Sequence, residues 1–191
     1  MFKKDHRVEA KSILKNTMRL SNNVHEENWG NIILDNFSNP SFFTRTYANE
    51  VLIQTVLEEA KKTTPSHFSA QLCNFCKRDL ENRTFIKPLP PETWTRKVPE
   101  SRYYQNQWNR LKDFLESPTR QILDFKAVKA ERSAMEDAIN NVTIDLKMET
   151  IKKGSPHTLR ITKTQSAYKR KLKNWKKDVE LLERLNGLEL K

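Results

Sequence analysis

Glycine is almost missing from this chain: Gly30, Gly154 and Gly187 are the only three in 191 residues, well under the usual share of about 7%. So few glycines leave few places for the left-handed backbone of tight hairpins. That excludes a sandwich or barrel of many short strands and favours helices joined by polar loops. Cysteine is as scarce. Cys73 and Cys76 alone cannot build a disulfide framework, so a reducing, intracellular setting is expected, cytoplasmic or nuclear. No apolar run approaches the roughly 20 residues that cross a bilayer. The opening Met1-Phe-Lys-Lys-Asp-His-Arg7 lacks the apolar stretch of a secretory signal. No membrane partner is expected.

The most informative shortage is of acid in one place. The chain carries 35 Lys and Arg against 24 Asp and Glu, a formal net charge of +11. Ile151 to Lys177 holds ten Lys or Arg and no carboxylate, and Lys126 to Lys177 holds fourteen against five. Solvated helices usually interleave both signs at i, i+4, so an acid-free run points to a polyanionic partner.

What is present reads mostly as helix. Apolar residues recur at helical spacing over Val8–Leu20, about Glu26–Phe37, and about Phe42–Lys62. In the third, Val51-Leu-Ile-Gln-Thr-Val-Leu57 is apolar nearly all round and is expected to be the most buried helix. Ser66 is expected to cap a fourth, running to about Asp79. Thr84–Ser101 carries Pro88, Pro90, Pro91 and Pro99, which rules out helix and central strand. It reads as an extended arm, with Phe85, Ile86 and Trp94 available to wrap a surface. Beyond it, a helix is expected over about Arg102–Leu115. Another should start at Ser117-Pro118 and run to about Asn140 with Ile122, Phe125, Val128, Met135 and Ile139 inward. Asp124 and Asp137 would lie on that helix.

Then the period changes to two. Val142, Ile144, Leu146 and Met148 alternate with polar residues, as do Leu159 and Ile161, and Lys152-Lys-Gly-Ser-Pro156 lies between. This predicts a β-hairpin with a basic tip. A last helix over about Gln165–Leu185 shows the stripe Tyr168, Leu172, Trp175, Val179, Leu182. The expected fold is mainly α (α+β): a helical lobe at 1–83, a Pro-rich arm at 84–101, and a basic α-β-β-α lobe with one hairpin at 102–191.

The expected function is non-enzymatic nucleic-acid binding, DNA or RNA, with the phosphate backbone as the contact. Lys152, Lys153, Arg160, Lys163, Lys169, Arg170, Lys173 and Lys177 would supply the charge, with Ser155 and His157 as small donors at the tip. The alternative is a module or subunit docking an acidic protein partner. The helix with Glu131-Arg-Ser-Ala-Met-Glu136 and the strand Leu159-Arg-Ile-Thr-Lys163 are together similar in outline to a small single-strand-binding module named for an Arg-x-x-x-His signature. Glu136 stands where that signature has its histidine, and the chain is not assigned to that family.

Chemistry is thin. Cys73-x-x-Cys76 is half of a zinc site, but tetrahedral zinc needs four ligands and no second cysteine pair exists. Two buried thiols are expected instead, and no metal. Asp145-Leu-Lys147 matches half of a metal-dependent nuclease core, which also needs an acid on a preceding strand. No Gly-rich phosphate loop or Gly-x-Ser-x-Gly elbow occurs, so no cofactor and no catalytic residue is named.

Overall fold

In the computed structural model the described residues are 4–21, 32–35, 44–62 and 67–188. The helix expected over Glu26–Phe37 lies largely outside them, with Trp29 and Phe37, as does the cap expected at Ser66. The described elements run α1 (Lys4–Ser21), α2 (Arg45–Tyr47), a π-helical turn (Ala48–Leu52), α3 (Ile53–Glu59), α4 (His67–Thr84), α5 (Gln105–Glu116), β1 (Ile122–Lys126), α6 (Lys129–Asn140), β2 (Leu146–Ile151), β3 (Thr158–Lys163) and α7 (Ser166–Asn186). The fold is mainly α with one small antiparallel sheet, of the α+β class.

Two compact units form, Met1–Lys87 with Lys173–Lys191, and Pro88–Leu172. From Lys173 onward, α7 therefore belongs with the N-terminal segment. The expectation from sequence placed all of 102–191 in one basic lobe.

The first unit is helix on helix. Val51, Leu52, Ile53 and Val56 are each at most 1% exposed, as their all-round apolar pattern requires. They pack with Leu14 and Met18 of α1, Phe68, Leu72 and Leu80 of α4, and Leu181 and Leu185 of α7. Ile13 and Leu20 of α1 lie outside this core, exposed. Trp175 stands in this unit, its Nε1 donating to the Thr84 carbonyl at 3.0 Å. Cys73 and Cys76 are buried free thiols in the same core. Burial pushes both thiols up in pKa; at Cys76 the neighbouring Cys73 and Asp79 push further. The thiolate is the reactive form. Ellman's reagent should therefore attack the native chain at least about a hundredfold more slowly than the chain in guanidinium, reporting opening rather than surface thiols. Equal rates in the two would contradict this burial.

The second unit is a three-stranded sheet covered on one face by α5 and α6. Strand order is β1-β3-β2, both pairs antiparallel. Period two sends Leu159 and Ile161 of β3 inward, with Leu123 and Phe125 on one side and Leu146 and Met148 on the other. Trp108, Leu111, Phe114 and Leu115 of α5 and Met135, Ala138 and Ile139 of α6 close over them. The expected hairpin is present as β2 and β3, but the helix expected from Ser117 is corrected here, since it starts only at Lys129. Residues 122–126 are a third strand, and Ile122 and Val128 are exposed rather than inward. Five residues of alternating burial are too short a pattern to stand out locally. The strand exists because β3 offers it a ladder partner.

The arm at 84–101 is irregular, as its prolines require. It is pinned by Trp94 N to the Pro118 carbonyl (2.9 Å) and Arg96 N to the Leu115 carbonyl (2.7 Å). Phe85 and Ile86 do not wrap a surface: they are 87% and 74% exposed. No helix among the described residues is long and apolar enough to cross a membrane.

Candidate functional site

The ten residues expected to present one basic surface fall into different environments. Lys152, Lys153 and Ser155 are exposed at the hairpin tip. Gly154 has φ +80 with open space around it, so backbone conformation rather than room explains the glycine. His157 is half-buried, with Nδ1 2.9 Å from the Gly154 carbonyl oxygen. Its own carbonyl accepts from Ala127 N and from Arg132, a buried arginine that thereby ties the tip to the start of α6.

Arg160 is engaged. Asp124 directly opposite on β1 accepts from both Nε and Nη2 at 2.7 Å, and Glu149 is its register partner on β2. This pair holds the Asp124 carboxyl below, and the Arg160 guanidinium above, their ordinary pKa values. The acid missing from the local sequence is supplied across the sheet.

Lys163 is a correction: it is 2% exposed and contributes nothing to a surface. Its Nζ donates to the carbonyls of Leu115 (3.1 Å) and Ser117 (2.8 Å), at the C-terminal end of α5, and lies 4.7 Å from the Phe114 ring centroid. Burial, then the nearby Arg96 and Arg120, push its pKa down. Period two had a signal for this, since Lys163 shares its face with Leu159 and Ile161.

Lys169 and Arg170 are exposed in the first turns of α7. Lys173 and Lys177 are exposed too, but they belong to the first unit. Within the second unit the tip and the start of α7 stand at opposite ends of β3. Lys152 and Lys153 therefore do not converge with Lys169 and Arg170.

What gathers around the start of α7 is a groove of about 940 Å³. The arm contributes Arg96 and Lys97, and α7 contributes Arg170 and Lys171. The segment leading into β2 lies between, and Thr143, Thr164, Ser166 and Tyr168 add hydroxyls. Arg96 is fixed by Nη2 donating to the Thr164 carbonyl at 2.6 Å. Sequence reasoning missed Arg96, Lys97 and Lys171. The first two sit far away in the chain, and their only local sign was basic residues between prolines.

One carboxylate lines the groove, and it is committed. Both Asp145 oxygens accept from Ala167 N at 3.0 Å, capping the N-terminal end of α7, while its carbonyl accepts from Thr164 N. Asp124 is on a strand after all, but β3 separates that strand from β2. The two carboxylates that a nuclease core would need do not converge. Among the described residues no group of three His, Cys, Asp or Glu is placed to hold a metal ion.

Comparison with protein-family models, with curated proteins and with solved structures finds no match to this chain.

Proposed function

We infer that this chain is a non-enzymatic nucleic-acid-binding protein, DNA or RNA, that contacts the phosphate backbone through its second unit. The observation that carries this reading is the groove at the start of α7. Four cations line it, two from each wall, among donor hydroxyls, and its one carboxylate is occupied by a helix end. Such a site offers charge and hydrogen-bond donors to phosphate oxygens without reading bases. An intracellular setting goes with that role.

Lys97→Glu, Arg170→Glu and Lys171→Glu together test it, since each is exposed. Fluorescence anisotropy with labelled DNA and RNA should show affinity falling steeply from about 50 to 200 mM salt, with the triple variant weaker by about tenfold or more and its salt slope shallower by about 2–3. Equal binding by wild type and variant, or none by wild type, overturns the reading. An acidic protein partner would use the same cations; it becomes the better account if polynucleotides never bind.

A further inference from the structure

The second unit carries another basic cluster, at the far end of β3 from the groove. Six strand residues, at about 3.3 Å each, separate the two ends by about 20 Å. The tip lysines are not alone there. Thr158 pairs with Lys126 on one side and with Ile151 on the other, so Lys126 and Lys152 flank the same point of β3. Arg132 Nη1 donates to the carbonyls of Ala127 (2.7 Å) and His157 (3.3 Å), which joins the tip to the segment leading into α6, whose first residue is Lys129. Lys126, Lys129, Lys152 and Lys153 are all exposed, and among the described residues none of them enters an ion pair. Midway along β3 the polar face is neutralised, because Arg160 is held by Asp124 with Glu149 opposite. The one basic residue midway along β3 is thus paired, while among the described residues the lysines at the tip are not.

We propose that the tip cluster is a second phosphate-contact site, and that one nucleic-acid molecule engages both ends at once, bridging the sheet. This rests on the function inferred above. A duplex backbone repeats every 3.4 Å per strand, so about six base pairs cover the span. Once one end is bound, the other contact becomes intramolecular, and loss of either end weakens the whole complex.

The test pairs two variants of the full chain: Lys129→Glu with Lys152→Glu and Lys153→Glu at the tip, and the Lys97, Arg170, Lys171 variant at the groove. Each is titrated with a labelled duplex of about 24 base pairs and a single strand of the same length. Either variant should weaken binding by about tenfold or more, at one nucleic acid per chain, with a shallower salt slope in each case. Glutamine at the same tip positions should give a smaller loss of the same sign, which separates charge from any misfolding of the glutamate variant. If the groove variant is weakened and the tip variants bind like wild type, the bridging proposal falls and the function stands. Two molecules bound per chain, each end keeping its own affinity, also overturns bridging. No binding by wild type removes both.

Discussion

Replacing Asp178 with alanine is expected to cost about 3 kcal/mol of stability, near the lower end of the roughly 3–5 kcal/mol for breaking a buried charge pair. Asp178 is the first carboxylate after the acid-free run, and it points into the first unit with its side chain 2% exposed. Arg45 Nη2 approaches Oδ2 at 2.7 Å; Arg83 Nη1 and Asn49 Nδ2 approach Oδ1 at 3.4 and 3.2 Å. Arg45 also donates to the Asn174 carbonyl, so α2 is fixed to α7 at two points. Arg83 is shared with Asp79 at 2.7 Å and donates to Asn49 Oδ1 at 3.1 Å. Alanine would leave two guanidinium groups short of their counter-ion around a buried position. Because Arg45 stays one-third exposed and Arg83 keeps Asp79, the lower end of the range applies. At about 2–4 °C per kcal/mol for a chain of this size, Tm should fall by about 6–12 °C.

The penalty belongs to orphaned charge rather than to a missing contact. Arg83→Met in the Asp178→Ala background should therefore cost less than the two single losses added together, by about 1 kcal/mol or more. Asp178→Asn, which keeps the shape and a hydrogen-bond acceptor, should fall between wild type and alanine. Urea titrations of wild type, the two single variants and the double variant measure this coupling, and the same titration places Asp178→Asn. An alanine variant within about 0.5 kcal/mol of wild type would mean the network holds nothing.

This cluster shows which parts of the molecule were legible in the sequence. Val51–Leu57 announced its burial because apolar residues cover most of the helix circumference. Trp108, Met135 and Ile139 followed from helical spacing, and β2 and β3 from alternation. These are local periodicities, and burial follows directly from them. Charge pairing is different, because partners are set by register and packing. Arg160 meets Asp124 only because β1 pairs with β3, and Arg45 and Arg83 reach Asp178 only because α2 and α4 place them around it. The groove follows the same logic. Arg170 was visible as a candidate, but Arg96 and Lys97 reach it only because the arm is pinned by Trp94 and Arg96 to the end of α5. An acid-free stretch of sequence is thus not itself a surface: of its charges, Lys163 is inside, Arg160 is paired, and the others lie in two units.

Lys163 supplies the second large effect. Lys163→Met is expected to destabilise the second unit by about 2–3 kcal/mol, because hydrogen bonds from a charged donor contribute about 1.5–3 kcal/mol and a buried acceptor left alone costs about 1–3. Methionine fills the stem's volume but donates nothing. Leu115 retains Arg96 N as a donor to its carbonyl, whereas the Ser117 carbonyl loses its ammonium. Lys163→Glu should be worse than methionine: it sets a carboxylate against two carbonyl oxygens at the negative end of α5. The pH response gives a readout that lost packing would not move. Burial lowers the Lys163 pKa in the folded chain, so between that value and the ordinary lysine value the unfolded chain holds the extra proton. Stability from this residue must then rise with pH across that alkaline window. Subtracting the Lys163→Met curve from the wild-type curve should isolate the slope, and a flat difference there would show that burial does not outweigh the two carbonyl partners at the ammonium.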